Sequence, residues 1–253
     1  MLKLLIINII RKKNPDFKLD AHVSSKLIFE LTFKKMLQKI RAVKLLLHFR
    51  LPKQIYLGRG VRFFNLSNVK FGKWVQLEDY VYVSGLSKAP VELGNNVRVG
   101  AFSQVVASTS FNQIGEFIRI GNNVGIGEFA YLGGGGGLEI GDDCIIGQYF
   151  SCHPENHNYA KPDELIRHQG VERKGIKIGK NCWIGSKVTI LDGVTIGDNC
   201  VIAAGAVVTK SMPSNSVIGG VPARVLRKDK GVKKKPLKKN LPEFFVLKNL
   251  NLN

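Results

Sequence analysis

The sequence lacks three features that would restrict its location and class. The apolar stretch within residues 1–13 is far shorter than the ~20 residues that a membrane-spanning helix needs. That stretch also lacks the small-residue cleavage site of a secretory signal. None of the four cysteines forms a CxxC pair. We therefore expect a cytoplasmic protein in a reducing compartment, without a disulfide framework.

Acidic residues are scarce as well, at 19 against 38 Lys and Arg, and the formal net charge is +19. The excess lies at the ends: residues 1–54 carry +10 and residues 228–253 carry +6, which leaves +3 for the centre. This distribution argues against a nucleic-acid groove in the central part. It favours terminal segments that meet an anionic surface, such as the inner face of the cytoplasmic membrane.

Aliphatic residues recur at every sixth position over residues 178–208, without a break. They are Ile178, Ile184, Ile190, Ile196, Ile202 and Val208. A period of six fits neither a helix nor an ordinary strand, so it marks an internal repeat. Glycine follows three of the six, and a small or slim residue stands four positions after each of the first five. This pattern is the hexapeptide repeat of a parallel β-helix, in which glycine or asparagine helps the chain turn each corner.

The same spacing extends backwards in shorter tracts as far as Leu57. Three hexads form one coil, so the tracts predict roughly six to seven coils. Accordingly, we predict an all-β solenoid over residues 54–227, preceded by a basic helical segment (1–53) and followed by a basic tail (228–253). The four cysteines, Cys144, Cys152, Cys182 and Cys200, fall on or just before positions of the repeat, which predicts buried, reduced thiols.

Residues 26–49 are predicted to form a second helix after the break at Asn14-Pro15. Six apolar residues recur there at three-and-four spacing: Phe29, Phe33, Met36, Ile40, Val43 and Leu47. Lysines and one arginine stand between them. Such a helix caps the open end of the solenoid, docks to a partner, or lies among lipid headgroups, and the sequence leaves these alternatives open.

One long interruption of the repeat, residues 153–177, is the strongest functional signal. It holds three of the five histidines, at His153, His157 and His168. Long loops within a compact repeat are usually functional or disordered. Because imidazole takes up a proton near neutral pH, we expect one of these histidines to act as a general base toward a hydroxyl or amine.

Two smaller irregularities precede that loop. Residues 108–116 break the period and are predicted to project from the coil. Residues 133–137 are five consecutive glycines, which form either a flexible corner or a place where backbone approaches a ligand closely.

Three further segments carry a resemblance to a known family: NCWIGS (181–186), AGAVVTK (204–210) and GGVPARVLR (219–227). Together with the repeats and the histidine loop, they resemble the left-handed β-helix acyltransferases. The nearest branch contains the maltose and galactoside O-acetyltransferases and the acetyltransferases of capsule, colanic acid and O-antigen synthesis. The resemblance covers about residues 54–227 and is strongest beyond residue 140.

The resemblance implies an acetyl-CoA-dependent enzyme without a metal, whose co-substrate lies between neighbouring β-helices of a homotrimer. It places the catalytic base on His157, with His153 as the rival. It also implies direct transfer, without a cysteine acyl-enzyme, and an oxyanion held by backbone N–H groups near Gly185 or Ser186. Positions implied for CoA are Trp183, Ser186, Ala204, Thr209, Lys210, Arg224 and Arg227.

The acceptor implied by the resemblance is a sugar hydroxyl in bacterial surface polysaccharide. Amino-sugar N-acetylation and acetylation of small molecules or antibiotics stay open. Two other classes compete. A zinc enzyme of the γ-carbonic anhydrase type would use the three loop histidines as ligands, and a non-catalytic β-helix would serve as a scaffold.

Overall fold

The computed structural model describes residues 18–52 and 54–228, and in that part of the chain the strands form a parallel β-helix. Successive strands visit three sheets in turn, and each sheet pairs a strand with its equivalent in the next coil. Sheet A contains Ile55–Leu57 (β1), Val75–Leu77 (β4), Arg98–Val99 (β7), Gly125–Ile126 (β10), Ile145–Ile146 (β13), Trp183–Ile184 (β18), Val201–Ile202 (β21), Ser216–Gly220 (β23) and Ala223–Lys228 (β24).

The other two long sheets have the same parallel arrangement. Sheet B contains Arg62–Phe64 (β2), Tyr82–Ser84 (β5), Gln104–Val106 (β8), Tyr131–Gly133 (β11), Ser151–His153 (β14), Thr189–Leu191 (β19) and Val207–Val208 (β22). Sheet C contains Val69–Phe71 (β3), Val91–Leu93 (β6), Ile118–Ile120 (β9), Leu138–Ile140 (β12), Ile176–Ile178 (β17) and Thr195–Ile196 (β20). Asn156–His157 (β15) and Val171–Glu172 (β16) pair with each other outside the coils. Sheet B has 7 strands within the described residues, which agrees with the predicted number of coils.

The predicted repeat positions form the core. All six residues of the ladder at 178–208 are at most 1% exposed, and each lies on a short strand or at its end. The earlier positions are buried too, apart from Phe63 and Phe71, which pack half-buried against the core in the first coil. The six-residue period therefore predicted which side chains point inward.

The corners between sheets C and A depend on polar residues in the left-handed backbone region. Asn96, Asn123, Asp143, Asn181 and Asn199 all have φ between 53° and 67°. Their side chains bond from coil to coil, as in Asn96 Nδ2 to Asn123 Oδ1 at 2.7 Å. Asparagine and aspartate tolerate this conformation better than other residues with a side chain, so they recur at this corner.

The corner that follows each sheet A strand, here called the first corner, carries an unpredicted column of aromatic rings. Tyr80, Phe102, Phe129 and Tyr149 stack at centroid separations of 5.0–5.1 Å, close to the distance between strands. Lys187 occupies the same corner in the next coil, also at positive φ. The corner that follows each sheet B strand is here called the second corner.

The cysteine prediction is confirmed: all four are buried and free of disulfide bonds. Cys144, Cys182 and Cys200 lie in register, and the Sγ–H of each donates to a carbonyl of the following coil, at 3.2 to 3.4 Å. Burial raises the pKa of the Cys152 thiol, so this group stays protonated.

The predicted helix is present but shorter, and it ends in a tighter turn. An α-helix spans Ser25–Arg41 (α1) and continues as a 3-10 helix over Ala42–His48. Ser24 caps the N-terminus by accepting a hydrogen bond from Leu27 N at 3.1 Å. Ala42 and Leu45 belong to the core cluster of the first coil, so the 3-10 segment covers the open end of the solenoid.

A buried polar cluster fixes α1 against the first coils. Gln38 Nε2 donates to Glu78 Oε2 at 3.0 Å, and Arg98 Nε lies 3.2 Å from Glu78 Oε1. Lys34 and Lys35 contribute further positive charge, and Lys35 donates to Gln76. Burial opposes ionisation of Glu78, but these cations outweigh it and lower the pKa of its carboxyl. Burial also lowers the pKa of Lys35 to about 8.

Two sequence predictions fall on residues that the structure does not describe. They are the apolar stretch in residues 1–13 and the basic tail beyond residue 228. Among the residues described, none of the helices has the length and apolar character that a bilayer crossing requires.

Candidate active site

The three loop histidines line one cavity. Its volume is about 660 Å³, and it lies between the projecting segment near residues 106–113, the glycine corner and the long loop after β14. His153, His157 and His168 all contribute to its wall, together with polar side chains such as Asn112 and Glu155. Both predicted interruptions therefore leave the coil on the same side and enclose one space.

His153 is fixed by the regular part of the fold. It is the last residue of β14 and pairs with Leu191 in the next coil. Its ring stacks on Tyr131, with centroids 5.5 Å apart and planes 19° apart. Burial, and then the charge of Glu155, raise the pKa of the Tyr131 hydroxyl, so this hydroxyl stays protonated. His153 is thus a rigid, exposed ring at the second corner.

His157 lies farther out, on the short hairpin of β15 and β16, where it pairs with Val171. Its side chain is exposed, and it borders both the main cavity and a second depression of about 700 Å³. Asn158 N donates to Gly170 O at 3.0 Å, and the Asn158 side chain donates to Gln169 O at 3.0 Å. These bonds hold the base of the loop and give His157 a defined place at the mouth of the cavity.

Arg173 connects the two ends of the long loop with the projecting segment. Its guanidinium Nη2 lies 3.0 Å from Glu155 Oε2, and its Nη1 donates to the carbonyl of Ile114 at 3.0 Å. A third bond from Nη2 reaches Gln113 O at 3.2 Å. Only 18% of the Arg173 side chain is exposed, whereas 41% of the Glu155 side chain is exposed, so the guanidinium is the more shielded partner. The sequence showed Arg173 only as part of a basic stretch, so its role was missed.

Asp192 holds the end of the long loop from the next coil. Its carboxylate accepts from Lys174 N at 2.9 Å and from Gly175 N at 2.8 Å. These two bonds return the chain to β17 in the correct register. The residue follows a repeat position by two, and the sequence carried no signal that distinguished it from other polar corner residues.

The glycine corner allows backbone to approach the loop. A side chain at Gly136 would place its Cβ 2.6 Å from Pro154 O and 2.8 Å from Gly175 N. Gly136 N itself donates to Pro154 O at 2.8 Å. The glycines thus pack against the residue next to His153 and line the cavity. The backbone of the glycine corner thus closely approaches the protein's own loop.

Four of the residues implied for CoA lie at two corners of the coils. Ser186 and Ala204 occupy the first corner in consecutive coils, where a Cβ on Gly185 would lie 2.5 Å from Ala204 N. Thr209 and Lys210 follow β22 at the second corner, in line with Leu191 and His153. Strand spacing puts Thr209 about 10 Å from His153, two coils away.

The other three implied residues lie on sheet A. Trp183 is 60% exposed on β18, and Arg224 and Arg227 are exposed on β24, the edge strand that pairs antiparallel with β23. All seven implied residues lie at or near the surface, but the two cavities above are lined by none of them.

The predicted oxyanion donors differ in availability. Gly185 N donates to Ile202 O at 2.8 Å within the parallel ladder, so this N–H already has its partner. A backbone donor near Ser186 stays a prediction. Over residues 18–52 and 54–228, no group of three His, Cys, Asp or Glu side chains is arranged to hold a metal ion.

Comparison with known sequences identifies the repeat. Residues 175–210 match the family described as bacterial transferase hexapeptide (six repeats). The chain is therefore similar to the hexapeptide transferases over this repeat. Its fold class is the left-handed parallel β-helix that the sequence predicted.

Two known acyltransferases illustrate the similarity. The chain is 45% identical to the galactoside O-acetyltransferase of Escherichia coli (strain K12) over 94 residues, which are 36% of this chain and 43% of that protein. A mutant of AntD, an N-acyltransferase from Bacillus cereus in complex with dTDP and coenzyme A, shares the fold with a TM-score of 0.51. That match has 19% identity and covers 70% of this chain and 83% of AntD. The chain spans about half the length of the curated relatives it matches.

Proposed function

We propose that this hexapeptide-repeat protein is an acetyl-CoA-dependent O-acetyltransferase that acts on a sugar hydroxyl. The observation that carries the proposal is the position of His157 at the mouth of a polar cavity, in a chain that contains the repeat of the bacterial hexapeptide transferases. Asn112, Gln113 and Arg167 offer this cavity the mixture of donors and acceptors that a polyhydroxylated acceptor needs. The similar galactoside O-acetyltransferase supports the same reaction class.

In the proposed reaction, the acceptor hydroxyl attacks the thioester carbonyl of acetyl-CoA. The His157 imidazole takes the hydroxyl proton as the new C–O bond forms. When the tetrahedral intermediate collapses, the C–S bond breaks and the CoA thiolate receives that proton from the imidazolium. A backbone N–H near Ser186 stabilises the oxyanion. No cysteine participates, which agrees with the burial of all four thiols.

The placement of the residues implied for CoA supports a homotrimer with active sites between subunits. Ser186 and Ala204 occupy the first corner, whereas Thr209 and the histidine loop occupy the second corner. A groove between two copies would unite one copy's first corner with the next copy's second corner. CoA would then contact Thr209, Lys210, Arg224 and Arg227 through its phosphates, since these groups need charged or polar donors.

We propose that the acceptor sugar belongs to a bacterial surface polysaccharide. The enzyme would then act at the inner face of the cytoplasmic membrane. The basic ends of the chain support this location, because lipid-linked glycan intermediates lie beside anionic headgroups. Residues 18–52 alone contain eight Lys or Arg and two acids.

A thiol-release assay tests the reaction class. Purified protein is incubated with acetyl-CoA and a panel of sugar nucleotides and glycan fragments, and the products are identified by mass spectrometry. The proposal expects acceptor-dependent thiol release and an ester that mild hydroxylamine cleaves. A hydroxylamine-resistant amide would instead show N-acetylation of an amino sugar. No release with any acceptor, combined with no CoA binding, would favour a scaffold.

A further inference from the structure

The apolar stripe that the sequence singled out on α1 faces away from the protein. Its six members, which run on into the 3-10 helix, are between 39% and 82% exposed: Phe29, Phe33, Met36, Ile40, Val43 and Leu47. Phe49 and Leu51 extend the exposed apolar surface beyond the helix. Single exposed apolar residues are ordinary, but a contiguous stripe of this length marks an interaction surface.

The opposite face of the same helix is occupied. Ile28, Gln38, Ala42 and Leu45 are buried, and Gln38 bonds to the buried carboxylate of Glu78. At 100° intervals, Gln38, Ala42 and Leu45 lie on the side of the helix farthest from the stripe, and Ile28 lies at the edge of that side. The β-helix therefore holds the stripe outward as a fixed, elongated apolar ridge.

Positive charge flanks the ridge on both sides. Lys26 and Lys39 are exposed, and on the helical projection they stand to the two sides of the stripe. Glu30 is the only acid within α1. Lysines beside an apolar face keep their charged ends at headgroup level while their stems lie along the apolar surface. Binding to a protein partner of mixed charge does not require lysines on both sides of an apolar ridge, whereas binding to an anionic bilayer does.

We propose that α1 and the following 3-10 helix lie in the surface of an anionic lipid bilayer. The aromatic and aliphatic ridge enters the boundary between headgroups and acyl chains, and Lys26 and Lys39 contact lipid phosphates. The face of the solenoid that carries α1 is then turned toward the membrane. This inference stands apart from the acetyl-transfer proposal, because lipid binding and thiol release are measured separately.

Co-sedimentation of the full-length protein with vesicles tests the proposal. One set of vesicles contains phosphatidylcholine with phosphatidylglycerol, and the other contains phosphatidylcholine alone. The stripe variant is Phe33→Ser/Ile40→Ser/Leu47→Ser. Because these side chains are exposed, the variant keeps the fold, which circular dichroism verifies. The matched control, Phe111→Ser/Tyr159→Ser/Leu165→Ser, removes three similarly exposed apolar side chains from loops.

The wild type and the loop control are expected to bind the anionic vesicles, with weaker binding at high salt and to neutral vesicles. The stripe variant should lose at least about tenfold in partition coefficient. Lys26→Gln and Lys39→Gln should each weaken anionic binding roughly fivefold. Thiol release on a water-soluble acceptor should be unchanged in the stripe variant.

Two results would overturn the proposal. One is undiminished vesicle binding by the stripe variant. The other is a lower molecular mass of the stripe variant than of the wild type in analytical ultracentrifugation without vesicles. The stripe would then be a contact between copies of the chain.

Discussion

Arg173 Nη2 lies 3.0 Å from Glu155 Oε2. The two residues stand near opposite ends of the histidine loop, with His157 and His168 between them in sequence and His153 just before Glu155. The same guanidinium binds the carbonyls of Gln113 and Ile114, which belong to the facing segment. One side chain therefore ties both ends of the loop to the facing segment. Since the proposed acyl transfer depends on the alignment of base, hydroxyl and thioester, this tie should affect turnover without contact to either substrate.

Replacement of Arg173 by methionine should lower kcat about tenfold while the Kd for CoA stays near the wild-type value. The loop should also become more sensitive to limited proteolysis, because it loses its tie to Gln113 and Ile114. Steady-state thiol release, calorimetry and a protease time course measure these effects. Lys177→Met is the control, because Lys177 pairs with Glu139 on the exposed face of sheet C. Equal losses in both variants would refute a special role for Arg173.

The glycine corner offers a second test with a clean control. Gly136→Ala forces a Cβ into Pro154 O at 2.6 Å, so the backbone beside His153 must move. We expect a loss of about 1–3 kcal/mol in unfolding free energy and a lower kcat. A Cβ at Gly125, on β10, meets nothing within 4 Å, so Gly125→Ala should change stability by less than about 1 kcal/mol. Similar behaviour of the two variants in denaturant titrations would contradict the close packing.

Lys35 gives a pH-dependent prediction for the docking of α1. Burial lowers its pKa from 10.5 to about 8, so the folded protein releases this proton more easily than the unfolded chain. The destabilisation is complete below pH 8 and disappears as the pH rises toward 10.5. Lys35→Met should therefore stabilise the protein by about 1–2 kcal/mol at pH 7, after allowance for partial exposure.

The advantage of Lys35→Met over the wild type should shrink between pH 8 and pH 10. Paired melting curves at several pH values measure it. Lys39→Met, at an exposed position of the same helix, serves as the control. A stability difference that does not change with pH would show that Lys35 is not the titrating group.

Neighbouring residues of β13 test the inward direction of the repeat. Ile146 is 3% exposed, whereas Ile145 is 48% exposed. Ile146→Ala should cost about 2–5 kcal/mol, because it removes buried methyl groups and leaves a cavity. Ile145→Ala should cost less than about 1 kcal/mol. Chemical denaturation compares them, and equal costs would be incompatible with the observed register.

The sequence was sufficient for the solenoid because burial there follows a fixed period. Once Ile178 points inward, the coil geometry places Ile184 and Ile190 inward as well, and the structure agrees. The histidine loop was also predictable, since a break in such a period leaves the coil. The contacts that this loop makes were not predictable from the sequence. Arg173 meets Gln113 across 60 positions of the chain, and only the closed fold determines such a pairing.

The orientation of α1 shows a second limit. The spacing of apolar residues identified a stripe on the helix. However, the helix has apolar residues on two faces, and a pair of polar residues determines which face is buried. Gln38 and Glu78 lie 40 positions apart and fix the helix through a bond that no local pattern reveals. The residues implied for CoA show a third limit: they lie at two corners and on sheet A of one chain, so their assembly remains a prediction about several copies.

The most direct test of the account compares His157→Ala with His153→Ala in the thiol-release assay, alongside CoA binding by calorimetry. With His157 as the general base, His157→Ala should lower kcat by ~10²–10⁴ while the Kd for CoA stays unchanged. His153→Ala, which removes a ring stacked on Tyr131, should have a smaller effect. Full turnover by His157→Ala, with loss of turnover in His153→Ala, would contradict the account and assign the base to His153.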